Sequence, residues 1–175
     1  VSIEGNTVIA RKSHKKKAPI PIWGGGRMSF SNRVSYWLKH MLRNYEDYHY
    51  PEMERIQPLL EVQKELSELP YKKGLLLECM KSEEGFHLFC YPIAGRMIHE
   101  GMAMLIAYRL SKLKSLTFSI AMNDYGFELL SDEEIPIEEA LEEDLFSTKN
   151  LIEDIYQSNN FNQMTEKRFV NIASI

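Results

Sequence analysis

Nowhere does this chain hold an apolar run of about eighteen residues, the length a helix needs to cross a bilayer. No membrane-spanning helix is expected, and the polar first residues read as no secretory leader. Cysteine is scarce, at two residues, Cys79 and Cys90. Neither stands at metal-ligand spacing from other donors, so both are expected as buried free thiols on apolar, strand-like segments. That usage fits a reducing, cytoplasmic setting. Also missing are GxxxxGK[ST], a DExH or DExD box after a strand, HExxH, and H-x-E with CxxC. ATP hydrolysis by this chain alone is thereby excluded, and a zinc site has no support. No repeat of fixed period and no low-complexity tract occurs.

What is present is a 175-residue chain, 44% hydrophobic, enough to build the core of one domain. Residues 1–175 are read as that one domain, with an acidic helical subregion over about 132–175. The net charge of -4 hides a split: the first 43 residues carry +8 and the remainder -12. Eight carboxylates crowd into DEEIPIEEALEED at 132–144. Such a split fits one end meeting a polyanion while the other stays solvated. The chain begins on Val1, and EKRFVNIASI ends in a helical pattern without a cap. Both read as marks of a piece of something longer.

Periodicity gives a coarse map. Residues 6–11 read as a short strand whose partners are expected upstream. A helix capped by Ser29 or Ser31 runs to about residue 44, with Val34, Trp37, Leu38, Met41 and Leu42 as its apolar positions and Arg33, Lys39 and Arg43 on other faces. A second spans about 51–69, with Met53, Ile56, Leu59, Leu60, Gln63 and Leu66 on one stripe and a kink or break at Pro58. Residues 75–81 and 86–91 form a hairpin. A long buried helix follows over 96–114, then a second strand pair at 116–122 and 127–130. Weaker helices at 137–141, 149–156 and from 165 onward finish the chain. The order predicts an α+β fold: antiparallel hairpins forming a partial, barrel-like sheet, packed with helices around a long central one.

Polar candidates are few. His99, Glu100 and Arg96 gather at a helix start, and Asn123 and Asp124 at a turn. A pocket uniting them would make a small enzyme of proton-transfer type. The plainer reading is two structural histidines, His87 and His99, with His87 facing solvent, and a turn closed by Gly126. The stretch KKKAPIPIWGGGRMSFSNR is more distinctive. Pro19 and Pro21 stiffen the approach to Trp23, and Gly24 to Gly26 let another backbone come close. An indole held out beside cations suits a nucleic-acid strand, whose bases stack on aromatics and whose phosphates bind Lys and Arg. Burial of Trp23 against the following helix is the competing reading.

PIWGGGRMSFS and LFCYPIAGRMIHEGMAMLIAYRLSKLKSLTFSIAMNDYGFELLS together resemble the "DEAD/H-associated" C-terminal region of the Lhr-like, ligase-associated DEXH-box helicases. The resemblance covers about residues 9–130 and, more loosely, the tail. It implies a barrel-like module that packs on a motor and lines the channel of the tracking DNA strand. Trp23 would then stack on a base, Arg27 would meet a phosphate or sugar, and Arg11, Lys12, Lys15, Lys16 and Lys17 would add electrostatic grip. RecA-like and winged-helix domains of the same chain, ATP and Mg in the parent protein, 3′ to 5′ movement, and DNA ligase or nuclease repair partners are also implied. A different reading makes the acidic 132–144 segment a docking helix for a basic repair partner, through Ile135, Ile137, Leu141 and Leu145.

Overall fold

The structure, a computed structural model, describes residues 2–4, 7–9, 28–70 and 74–160. It opens with two short antiparallel strands, β1 (Ser2–Glu4) and β2 (Thr7–Ile9). The partner of the first predicted strand therefore lies within the chain, a few residues before it. Helix α1 (Asn32–Arg43) follows, capped by the Ser31 hydroxyl, which accepts from the Val34 N–H. A single 3-10 turn (Tyr45–Asp47) leads to α2 (Pro51–Leu66), whose first residue is a proline with no N–H to leave unpaired. α2 is not broken at Pro58 but runs on through it.

The remaining elements are β3 (Leu76–Lys81), β4 (Phe86–Tyr91), α3 (Arg96–Leu113), β5 (Ser119–Met122), β6 (Phe127–Ser131), α4 (Ile137–Glu142) and α5 (Leu151–Asn160). Four strands form one antiparallel sheet in the order β3-β4-β6-β5. The sheet is open, with β3 and β5 at its edges, and so the expected barrel-like closure is not found. Alternation along the central strands sends Leu88, Cys90, Phe127 and Leu129 to one face. There they meet Ala103, Ile106 and Leu110 of α3. Ile135, Ala140 and Leu145 complete this core, each large apolar side chain contributing about 1.5–3 kcal/mol.

A second, smaller core joins Tyr45, Met53, Leu60 and Leu69 with the half-buried Met41, Leu42 and Tyr48. Only Met53 and Leu60 of the stripe expected on α2 belong to it. Leu59 and Leu66 are 70% and 81% exposed, so α2 has two apolar faces and its own core uses one. Trp37 likewise does not join Met41 and Leu42; it is 50% exposed. Cys90 is buried as expected, and burial pushes its thiol up to about 12. Cys79 is exposed instead, because it sits toward the end of an edge strand whose last residues are uncovered. Among the described residues no helix is long and apolar enough to cross a membrane.

Candidate nucleic-acid interface

Arg11, Lys12, Lys15, Lys16, Lys17, Trp23 and Arg27, the residues singled out for nucleic-acid contact, lie outside the described residues. The structure does describe where that stretch leads. Met28, Ser29 and Phe30 run beside the start of α3 and the β5–β6 turn. The Phe30 N–H donates to Asp124 Oδ1 at 3.1 Å, and the same oxygen accepts from the Arg96 N–H at 2.9 Å. Ser29 Oγ accepts from the Met97 N–H at 3.4 Å. Phe30 also meets the Tyr125 ring edge-on, with centroids 5.5 Å apart. Gly95 makes this approach possible: its φ is +88°, and a Cβ there would stand 2.4 Å from Ser29 Oγ and 2.7 Å from Phe30 O.

These bonds answer the question of a small enzyme at the same place. His99 is fully buried. Its Nε2 accepts from the Ala94 N–H at 2.9 Å, so the proton is on Nδ1, which donates to Asn123 O at 2.7 Å. Burial holds its pKa below the ordinary value and keeps the ring neutral at pH 7. Asn123 Oδ1 accepts from the Tyr125 and Gly126 N–H groups, and Asp124 is held below the ordinary carboxylate range by the Arg96 and Phe30 N–H donors. His99, Asn123 and Asp124 are thus spent on backbone. The first-turn amides of α3 are taken as well, which closes that helix end to a phosphate.

His87 departs from expectation, being buried rather than solvent-facing. Its Nδ1 pairs with Glu128 Oε1 at 2.5 Å and its Nε2 with Ser82 Oγ at 2.6 Å. Hydroxyl, imidazole and carboxylate stand in relay order, yet Ser82 Oγ also accepts from the Glu84 N–H at 3.0 Å. These bonds tie the β3–β4 turn to β6. In the acidic segment, Ile135 and Leu145 are buried in the main core and Ile137 packs against it. Of its four apolar residues only Leu141 stays about half exposed. Among the described residues no His, Cys, Asp and Glu cluster could hold a metal ion.

One described face on which exposed aromatics alternate with cationic side chains is on α1. Arg33, Tyr36, Trp37, His40 and Arg43 follow at helical spacing along its solvent side. Tyr36 and Trp37 are 43% and 50% exposed. Trp37 lies 5.8 Å from the His40 ring, which the Tyr48 hydroxyl fixes through Nδ1 at 3.1 Å. The spacing was visible in the sequence; what hid the face was the assumption that a tryptophan belongs with the leucines.

Taken together, these features define a class: an open-sheet α+β unit whose buried polar side chains brace turns and helix ends. Residues 69–175, more than half of the chain, match the family described as DEAD/H associated. The chain belongs to that family, as a module of the Lhr-like DEAD/H helicase type. The ATP-dependent helicase Lhr-Core of Methanocaldococcus jannaschii is 21% identical over 181 residues, covering 97% of this chain and 21% of the relative. ATP-dependent helicase Lhr-Core protein 2 of Thermococcus barophilus is 25% identical over 186 residues, covering 97% and 22%. The chain thus spans about a fifth of the length of the curated relatives it matches. No solved structure matches it.

Proposed function

We propose that this chain is the strand-gripping module of an ATP-dependent DNA helicase acting in DNA repair. The observation that carries the reading is the alignment of 97% of the chain with two proteins named as ATP-dependent Lhr-Core helicases. In this reading Trp23 stacks on a base of the single-stranded tracking strand. Arg27 and the cations Arg11, Lys12, Lys15, Lys16 and Lys17 hold its phosphates. The bonds from Asp124 to residue 30 and to α3 support the role, because they tether the stretch at its carboxyl-terminal end to the sheet.

RecA-like and winged-helix domains of the whole protein would drive movement with ATP and Mg, while this module holds the strand between steps. The sequence contains no GxxxxGK[ST] stretch to cradle a nucleotide, so no step of ATP turnover is assigned to its residues. The uncovered apolar side of α2, with Ile56, Leu59, Val62 and Leu66, suits burial against one of those domains. Trp23→Ala in the full-length helicase is expected to cut DNA-dependent translocation at least several-fold and to leave ATP binding intact. Unwinding at the parental rate would reject the stacking role.

A further inference from the structure

We infer that the solvent side of α1 is a second contact for single-stranded nucleic acid, with Trp37 as its stacking ring and Arg33 and Arg43 as its phosphate contacts. The class of partner rests on the reading just given; the residues are different ones, and they are all described.

Three observations carry it. The first is position. Arg33, Trp37, His40 and Arg43 fall on one stripe, opposite the side on which Leu38 and Leu42 are half-buried. Each exposed ring therefore has a cation within about one helical turn. The second is charge. α1 carries Arg33, Lys39 and Arg43 and no carboxylate. α2 carries Glu52, Glu54, Glu61 and Glu65 against Arg55 and Lys64. The uncovered side of α2 is apolar between carboxylates, which fits a protein surface. The uncovered side of α1 is aromatic between cations, which fits a polyanion with flat bases. The third is rigidity. α1 starts at the Ser31 cap, directly after the tethered Phe30, and the His40 ring next to Trp37 is pinned by Tyr48. An indole on such a helix loses little freedom when a base settles on it.

The chain has only two tryptophans, so indole fluorescence can be assigned. The 175-residue chain is titrated at low salt with oligodeoxythymidylate, and with polyglutamate as a polyanion lacking bases. In Trp23→Phe the remaining indole, Trp37, is expected to be quenched by the oligonucleotide and not by polyglutamate. Trp37→Ala should weaken binding about 5- to 160-fold, the range for loss of one stacked base, with the melting temperature held. Arg33→Gln should reduce the slope of log affinity against log salt by about 0.7, the value for one phosphate contact on a single strand. Quenching of Trp23 in Trp37→Phe with a silent Trp37 in Trp23→Phe would overturn this inference and leave the Trp23 reading standing. The reverse pattern would do the opposite. No binding by the chain, or equal quenching by polyglutamate, would also overturn it.

Discussion

Asp124 does the work of a helix cap from the far end of a hairpin. A cap is ordinarily a local side chain, and Gly95, at the capping position of α3, has none to offer. The Asp124 oxygen replaces it and holds the Phe30 amide as well. Because these donors favour the ionised form, the folded pKa lies below the ordinary value near 3.8. Its stabilisation is then fully present above that value and is lost as pH falls through the folded pKa. Asp124→Ala is expected to lower the melting temperature by a few degrees at pH 7. The gap to the parent should hold down to about pH 4 and narrow below it. Thermal melts across that range measure it, and a gap that ignores pH would show that the carboxylate charge is irrelevant. None of this long-range capping was legible in the sequence. There Asn123-Asp124-Tyr125-Gly126 announces a turn, which is correct, but a turn signal says nothing about what the outward carboxylate meets.

Among the elements, the strands were the most readable. Alternation around Leu88 and Cys90, and again around Phe127 and Leu129, placed both hairpins within a few residues of their observed bounds. The helices within the described residues were found equally well but their faces were not, and the helix expected from residue 165 lies outside the described residues. A stripe of apolar residues shows that a helix has a side to bury, not which neighbour will cover it. On α2 the covered side holds Met53 and Leu60, while Leu59 and Leu66 wait on the other. The fastening of α5 (Leu151–Asn160) was also invisible. Arg109 of α3 donates to Asp154 Oδ2 at 2.9 Å and to the carbonyls of Leu145 and Ser147 at 2.7 and 2.8 Å. Both partners of the ion pair are largely buried. Arg109→Ala removes these bonds and leaves Asp154, among the described residues, with Lys112 alone as a cationic partner, at 3.4 Å. A loss of about 3 kcal/mol is expected, as for breaking a buried pair. Denaturant unfolding measures that loss, and proteolysis should cut first between residues 145 and 160. Parental stability would mean that the α3–α5 contact is held by apolar packing alone.

The molecule as a whole has two cores of unequal size. One is built on the sheet and α3, the other on α1, the 3-10 turn and α2. Between them the described links are slender: Gln63 Nε2 to Glu78 Oε1 at 2.9 Å, the Phe30–Tyr125 ring contact, and the bonds of Ser29 and Phe30. Units joined this way open separately. Native-state hydrogen exchange is expected to show the α1 and α2 amides exchanging through an opening of lower free energy than those around Leu110. A single global opening shared by both would contradict it. Fold class was legible because it depends on the order of element types. The division into two cores was not, because it depends on which apolar faces remain uncovered.

The shared oxygen of Asp124 has a mechanical meaning. Residue 30 and residue 96 hang from one hook, itself part of the turn that closes β5 onto β6. Tension along the backbone ahead of residue 28 therefore reaches the sheet through this hook before it can peel α1 from its neighbours. The small helical core is spared the load, and the larger core on the sheet takes the pull.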